Sequence, residues 1–240
     1  MTIKSKIVID FDPSSAKKYA INKYGIVVVD VLRASSTIII ILSQGAKEVI
    51  PCVEIEETEY YRKSLDAVLV GERKGTKISG FDYTNSPFDL SKVNLESKII
   101  AITTSTGTRL INESIGAKNI LIGSTLNASE IARRMHKLGG NWAVLGAGTR
   151  GEFRPEDQVG CALIVKYFMR LSNCIVNSQT RNIVNTYSDN IETHIRMSSS
   201  SQKLIEIGQR NDVDFVINSL NKYTIVPVAR KIGSRVKITQ

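Results

Sequence analysis

Cysteine and long apolar runs are scarce in this chain, and each scarcity excludes a class of protein. The 240 residues include three cysteines (Cys52, Cys161 and Cys174) with no C-x-x-C spacing. Three scattered cysteines cannot form a disulfide framework, and we interpret them as core thiols. The longest apolar run, residues 38–42, is far shorter than the roughly 20 residues that cross a bilayer, and no apolar signal segment opens the chain. We therefore expect a cytoplasmic protein without a membrane partner.

Histidine and the common hydrolase motifs are also lacking. Two histidines, His136 and His194, cannot build a three-histidine zinc site. The sequence contains no G-x-x-x-x-G-K-[ST] P-loop, no G-x-S-x-G nucleophile turn and no H-E-x-x-H zinc motif. Hydrolysis by this chain would therefore depend on carboxylates, arginines and a hard metal ion.

Acidic residues are fewer than basic ones. The chain contains 23 aspartates and glutamates and 32 lysines and arginines, so its net charge is +9. A positive charge of this size fits an anionic partner, either a phosphorylated metabolite or a nucleic acid. The basic clusters at residues 133–137 and 230–237 could contact a phosphate backbone, but ordinary solvated surfaces have the same composition. Aromatic residues amount to 6% and no nucleic-acid-binding motif is present, so a nucleic acid is the less favoured partner.

Short β-branched runs alternate with helical patterns along the chain. The alternation predicts an α/β fold, a layered α/β/α sandwich around a largely parallel or mixed β-sheet. We interpret residues 1–240 as a single domain, in which the polar segment 173–214 forms an outer helical layer or a cap. The stretch 71–97 predicts a long loop, and loops of that length usually carry function. The predicted strands are 26–31, 49–53, 67–70, 99–103, 119–122, 142–145, 224–228 and 236–238, and the predicted helices are 35–45, 54–65, 108–115, 128–138 and 155–171.

Polar residues follow the predicted strands, at the carboxyl ends where open α/β sheets bind ligands. Asp30 ends a run of valines, and a carboxylate there needs a cation, hydrogen-bond donors or solvent. Arg33 could be its ion-pair partner or a site residue in its own right. The segment TTSTGT (103–108) could cradle an oxyanion beside Gly107, or could cap the helix that follows. Arg109 opposes the dipole of that helix, and a bound anion would relieve the conflict.

The long loop and two helix starts supply further polar groups. The loop mixes carboxylates, cations and an amide in a way that suits Mg²⁺ and phosphate, although surface loops often have this composition. Residues 127–130 resemble a capping box, and Pro155 with Glu156 and Asp157 forms a sound helix start that needs no further role. The loop residues concerned are Glu72, Arg73, Lys74, Asp82, Asn85 and Ser86.

Five blocks in sequence order resemble the 2-phosphosulfolactate phosphatase family. The resemblance spans roughly two thirds of the chain, with Thr106 where the family commonly has Asn and Gly146 where it has Cys. It implies an α/β fold and an Mg²⁺-dependent acid phosphatase that converts 2-phosphosulfolactate to sulfolactate and phosphate in coenzyme M synthesis. The blocks are VVVDVLRASSTI (27–38), GERKGTKISGFDYTNSP (71–87), TTSTGT (103–108), GSTLNA (123–128) and GAGTRGEFRPED (146–157).

With this resemblance, we predict roles for individual residues around a small anionic phosphorylated substrate. Mg²⁺ is expected on Asp30, Glu72 and Asp82. The predicted catalytic residues are Asp30, Arg33, Thr104 and Arg109. The predicted substrate-binding residues are Arg73, Lys74, Asn85, Ser86, Thr103, Gly107, Thr108, Asn127, Thr149, Arg150 and Arg154.

Several alternatives stay open at this stage. A related phosphatase could act on another small phosphorylated hydroxy acid. From a different class, the chain could be a basic nucleic-acid-binding protein, or a non-catalytic phospho-ligand binder if Thr106 disables the chemistry. Direct attack by water and a phosphoenzyme on Asp30 are both compatible with the sequence, and so is a homo-oligomer.

Overall fold

The computed structural model describes residues 4–12, 14–148 and 153–240 of the chain. Its strands are β1 (Lys6–Asp10), β2 (Gly25–Val29), β3 (Glu48–Cys52), β4 (Val68–Arg73), β5 (Thr76–Lys77), β6 (Ile99–Thr103), β7 (Asn119–Gly123), β8 (Trp142–Gly146), β9 (Ile175–Val176), β10 (Val228–Ile232) and β11 (Arg235–Thr239). Its helices are α1 (Ser15–Ile21), α2 (Ala34–Ser43), α3 (Ile55–Leu65), α4 (Pro87–Leu90), α5 (Gly107–Glu113), α6 (Ala128–Leu138), α7 (Pro155–Leu171), α8 (Ser178–Tyr187), α9 (Ile191–Arg196), α10 (Ser199–Glu206) and α11 (Arg210–Asn218).

The described strands form one mixed sheet in the order β5-β4-β6-β3-β11-β10-β7-β2-β8-β1-β9. One parallel group contains β7, β2, β8, β1 and β9, and a second contains β3, β6 and β4. The hairpin β10–β11 lies between the groups and pairs antiparallel with β7 and with β3. Three successive antiparallel pairings therefore separate the two parallel groups. The predicted layered α/β fold is confirmed.

Burial explains why the central elements form where they do. β2 is a run of glycine, isoleucine and three valines that is buried along its whole length, which is typical of a parallel strand covered on both faces. The next element, α2, is buried from Ala34 to Leu42 and is therefore apolar around most of its circumference. It packs between elements of both strand groups, against β3 and β7, with α4 and α5 beside it.

The polar segment 173–214 contains β9 and the helices α8 to α11. α8 and α9 pack against α7, and α11 packs against α4 and α9. Their buried contacts come from a few apolar residues such as Ile195, Val213 and Val216. This helical layer therefore lies beside α7 and reaches the elements that surround the site.

Some predicted boundaries were wrong. The stretch 71–97 is not a continuous loop, because β4 extends to Arg73 and is followed by β5 and α4. Residues 224–227 form no strand, and the strand predicted there begins only at Val228, where pairing with β11 starts. β1 and α1 were not predicted, whereas α6, α7 and β6 have the predicted bounds.

Two further expectations concern the state of the cysteines and the presence of membrane-spanning helices. Cys52 and Cys161 are buried free thiols, as predicted, and Cys174 is a partly buried free thiol. Among the described residues, no helix combines the length and the apolar character that crossing a bilayer requires.

Candidate active site

A cavity of about 510 Å³ lies where the carboxyl ends of β2, β4 and β6 approach one another. Its walls come from the residues after β2, the turn between β4 and β5, the loop 103–108, the start of α7 and one face of α10. The predicted site residues that it brings together are Asp30, Arg33, Glu72, Lys74, Asn85, Thr104 and Arg154.

Asp30 is buried, and both its side chain and its backbone N–H form hydrogen bonds. Its Oδ1 accepts a hydrogen bond from the Ala34 backbone N–H at 3.1 Å, while its own N–H donates to Ser35 Oγ at 3.0 Å. Its Oδ2 faces Gly107, where an added Cβ would lie only 2.6 Å from that oxygen. Gly107 therefore allows the loop after β6 to approach the carboxylate that follows β2.

The surroundings of Asp30 disfavour its negative charge. Burial raises the pKa of Asp30 from an ordinary 3.8 to about 7, with a further contribution from the negative charges of Glu72 and Glu156. The hydrogen bond from Ala34 and the charge of Arg33 act in the opposite direction. Burial, together with the charges of Asp30 and Glu156, also raises the pKa of Asp157 well above its ordinary value. The site therefore concentrates more negative charge than the protein alone stabilises.

Glu72 joins two of the walls. Its Oε1 accepts a hydrogen bond from the Ser105 N–H and its Oε2 accepts one from the Gly75 N–H, both at 2.7 Å. Within the loop 103–108, the Thr104 N–H donates to Thr108 Oγ1 at 3.3 Å and the Thr108 N–H donates to Thr104 Oγ1 at 3.2 Å. These bonds hold the loop in one conformation, so the half-exposed Thr106 and the exposed Ser105 face the cavity.

Arg33 forms an ion pair with a residue from the helical layer, not with Asp30 as one interpretation suggested. Its Nη1 lies 2.7 Å from Asp212 Oδ2, and both side chains are buried. Asp212 Oδ1 also accepts hydrogen bonds from Ser86 Oγ at 2.5 Å and from the Phe88 N–H at 3.2 Å. Nη2 of Arg33 donates to the Gly75 carbonyl at 3.2 Å. Arg33 is therefore fixed at the cavity wall by α11 and by the β4–β5 turn.

Three predicted site residues lie away from the cavity. The Asp82 carboxylate accepts a hydrogen bond from the Leu69 N–H at 2.7 Å and pairs with Arg62 at 3.1 Å, so it stands near the amino end of β4 and not with Asp30 and Glu72. The Arg109 side chain is 60% exposed and lies 3.9 Å from Glu54, outside the cavity. Asn127 accepts from the Ser124 N–H and donates to the Ile225 carbonyl, which ties the loop after β7 to the chain before β10.

Among the described residues, other predicted binding residues stabilise the segments around the site and do not line the cavity. Arg73 donates to the Glu72 and Val53 carbonyls and to Thr103 Oγ1, and its side chain borders a neighbouring cleft. Ser86 caps α4 by accepting from the Asp89 N–H. The hydroxyl of Thr108 is engaged within its own loop. Thr149 and Arg150 lie outside the described residues.

Glu156 and Asp157 have a closer connection to the site than their interpretation as a helix start suggested. Both are buried, and Asp157 accepts hydrogen bonds from the Val31 N–H at 2.8 Å and the Gly148 N–H at 3.3 Å. Among the described residues no group bonds to Glu156 Oε2. Two signals were available in the sequence. Both acids belong to the block GAGTRGEFRPED (146–157) of the family resemblance, and the run VGCALIV begins one residue after them, which indicates that this part of the helix is buried on all sides.

The donor atoms of the cavity suit a hard cation. Among the described residues no three His, Cys, Asp or Glu side chains converge as a ready metal cluster. No described basic side chain forms a salt bridge with Asp30, Glu72 or Glu156, and the buried Asn85 Oδ1 has no described partner. Mg²⁺ commonly takes one or two carboxylates and completes its shell with water and phosphate oxygens. The described residues therefore fit an Mg²⁺ ion that is bound by a few protein oxygens, water and phosphate, and they do not form a closed cage of protein ligands.

The basic clusters are partly neutralised within the protein. Arg235 and Lys237 pair with Glu48 at 3.2 and 2.8 Å, and Arg133 pairs with Glu130. These pairs reduce the positive charge that either cluster presents to an external phosphate backbone.

Carboxylates, an arginine and hydroxyls that meet at strand ends of a layered α/β fold are typical of enzymes that bind small anionic substrates. The family model described as 2-phosphosulpholactate phosphatase matches residues 11–231 of this chain. The chain therefore belongs to the 2-phosphosulfolactate phosphatase family, and the resemblance of the five blocks is confirmed.

Individual relatives agree with the family model. The chain is 36% identical over 214 residues to the probable 2-phosphosulfolactate phosphatase of Clostridium kluyveri, covering 88% of this chain and 89% of that protein. It is 34% identical over 200 residues to the protein of the same name from Clostridium beijerinckii, covering 80% and 83%. The corresponding protein of Caldanaerobacter subterraneus subsp. tengcongensis is 32% identical over 208 residues, covering 84% and 86%.

Proposed function

We propose that this protein is a phosphoric monoester hydrolase that converts 2-phosphosulfolactate to 3-sulfolactate and phosphate with Mg²⁺ as cofactor, in coenzyme M biosynthesis. Family membership supports the phosphatase activity and the substrate. The observation that carries the assignment of the site is the buried Asp30 carboxylate against Gly107, beside Glu72 in the cavity.

Asp30 and Glu72 would hold Mg²⁺, together with water and the amide oxygen of Asn85. When bound, Mg²⁺ supplies positive charge to the phosphoryl oxygens, which carry the negative charge that develops during transfer. Arg33 would contact the same phosphoryl group, because Asp212 and Gly75 keep its guanidinium at the cavity wall before substrate arrives. The hydroxyl of Thr106 would donate a hydrogen bond to a remaining oxygen, whereas the Ser105 hydroxyl donates to Glu72 Oε2 at 3.3 Å.

The direct test is phosphate release from racemic 2-phosphosulfolactate with and without Mg²⁺, beside phosphoglycolate, 2-phosphoglycerate, 2-phospholactate and an aryl phosphate. We expect turnover that requires the metal and is fastest on the sulfonate. Comparable turnover on all compounds would retain the phosphatase and reject the substrate. No release from any compound would contradict the enzymatic assignment and favour a phospho-ligand binder.

The buried carboxylates also predict how Mg²⁺ and pH act together on stability. Because the pKa of Asp30 is raised to about 7 from 3.8, the metal-free protein loses stability as pH rises through that interval. Glu72, Glu156 and Asp157 add to the repulsion, while Arg33 opposes it. Bound Mg²⁺ removes this penalty, so the increase in Tm caused by Mg²⁺ should be larger at about pH 8 than at about pH 5.

Thermal unfolding with millimolar MgCl₂ or NaCl of equal ionic strength measures this difference. The NaCl arm is the control for general screening of the net charge of +9. An Mg²⁺-induced shift in Tm that is equal at both pH values, or larger at the lower one, would show that protons do not compete with the metal at these carboxylates.

A further inference from the structure

Helix α10 forms one wall of the cavity and is attached at both ends. At its start, Arg154 Nη1 donates to Ser199 Oγ at 2.7 Å. Just beyond its end, Gln209 Nε2 donates to the Gly75 carbonyl at 3.2 Å, and Ile207 Cδ1 would lie 2.9 Å from a Cβ added at Gly75. The helix therefore closes the cavity between the start of α7 and the β4–β5 turn.

The face that α10 presents to the cavity changes character along its length. Ser199, Ser200 and Lys203 line the cavity at its polar beginning, and Leu204 and Ile207 line it at its apolar end. This spacing places all five on one side of a helix. Among the described residues no carboxylate pairs with Lys203, and no group accepts a hydrogen bond from the N–H of Ser199 or Ser200. The polar beginning of α10 thus offers donors and positive charge to a ligand.

Groups of both charges line the cavity. Asp30 and Glu72 supply carboxylates at the strand ends, whereas Lys74, Arg154 and Lys203 supply cations. Oδ1 of Asn85, in a side chain only 2% exposed, has no described partner in the same cavity, so a ligand must complete this lining. As an acceptor, this oxygen belongs with the carboxylates. A simple phosphate monoester needs one anion-binding region, so the additional cations match a ligand with a second anionic group.

On the basis of the proposed function, we infer that the beginning of α10, with Lys203 and Arg154, binds the sulfonate of the substrate. In 2-phosphosulfolactate the carboxylate and the phosphate ester share one carbon atom, and the sulfonate is on the next carbon. The carboxylate must therefore stay beside the phosphate, while the sulfonate can reach a separate wall. A sulfonate has three oxygens in a tetrahedral arrangement, which suits an ammonium, hydroxyl and N–H donors that converge from different directions.

Substrates with and without the sulfonate test this inference. Lys203→Met should raise KM for 2-phosphosulfolactate by about tenfold, as expected for a lost charged hydrogen bond at a partly exposed site, and should change kcat less than about twofold. On 2-phospholactate, which lacks the sulfonate, the variant and the parent protein should have the same KM. Lys203→Arg keeps the charge and should retain most of the affinity for the sulfonate.

The control is Lys137→Met, which removes one exposed positive charge from α6 outside the cavity and should match the parent protein on both compounds. An unchanged KM for 2-phosphosulfolactate in Lys203→Met would overturn the inference. An equal rise of KM on both compounds would do the same, because it would place Lys203 at a group that the two share.

A binding measurement separates this inference from the proposed function. Racemic 3-sulfolactate should raise the Tm of the parent protein more than lactate does, and Lys203→Met should remove that difference. If the parent protein releases no phosphate but shows this difference, the proposed function fails and the sulfonate site is supported. If sulfolactate and lactate act alike on the parent protein, the sulfonate site is rejected even if the enzyme is active.

Discussion

Asp30→Asn is expected to lower kcat for phosphate release by about a thousandfold, because the neutral amide cannot serve as an anionic metal ligand or as a nucleophile. The fold should be unaffected, since an amide oxygen can still accept the hydrogen bond from the Ala34 N–H. At about pH 8 without Mg²⁺ the variant should be at least as stable as the parent, because burial penalises the charge of Asp30. Mg²⁺ should increase its Tm much less than that of the parent.

Asp82→Asn is the matched control for Asp30→Asn. The same chemical change is made at a carboxylate that contacts Leu69 and Arg62 and does not line the cavity. Its kcat should stay within about twofold of the parent value, because losing a partly exposed ion pair has a small effect. A large loss of activity in Asp82→Asn would contradict its placement outside the site, and full activity of Asp30→Asn would reject Asp30 as a metal ligand.

Asp212→Ala is expected to destabilise the protein by about 3–5 kcal/mol, the range for removing one partner of a buried ion pair. The substitution leaves the buried guanidinium of Arg33 without its carboxylate and removes the acceptor of Ser86 and of the Phe88 N–H. Urea unfolding of the parent and the variant measures the loss as a change in the free energy of unfolding. Activity should also fall in any variant that remains folded, because Arg33 is no longer held at the cavity wall.

Asp214→Ala is the control on the same helix. Asp214 pairs with Arg196 at 2.6 Å, but both side chains are more than a third exposed, so its removal should cost less than about 1 kcal/mol. Asp212→Asn should fall between the two, since an amide can still accept hydrogen bonds but carries no charge. Equal stability of Asp212→Ala and Asp214→Ala would mean that the buried pair does not hold α11 against the site.

The Asp212 pair also shows why part of the site could not be predicted. Arg33 lies three residues beyond Asp30, which ends the valine run, so its place near a strand end follows from local sequence. Its partner is separated from it by 179 positions. No periodicity or motif links two residues at that distance, and the nearby Asp30 was the only partner that local reasoning offered.

Asp157 illustrates a second limit. Its position in the first turn of α7 has a sufficient local explanation, because acidic residues favour helix starts. Its hydrogen bond from the Val31 N–H, 126 positions away, and its repulsion with Asp30 depend on how α7 packs beside β2. Asp157 thus has a tertiary role in addition to its local one, and its place in the block GAGTRGEFRPED (146–157) was a sign of that role in the sequence.

The sequence by itself determined the alternation of strands and helices, the bounds of β6, α6 and α7, and the family blocks that place Asp30 and Glu72 at strand ends. These features depend on side-chain periodicity and capping within a few turns of chain. Only the tertiary structure decided that the β10–β11 hairpin separates two parallel strand groups, that Gly107 meets Asp30, and that α10 closes the cavity. Each of these features depends on pairing and packing between segments far apart in the chain. The free energy of such contacts cannot be read from a local sequence pattern.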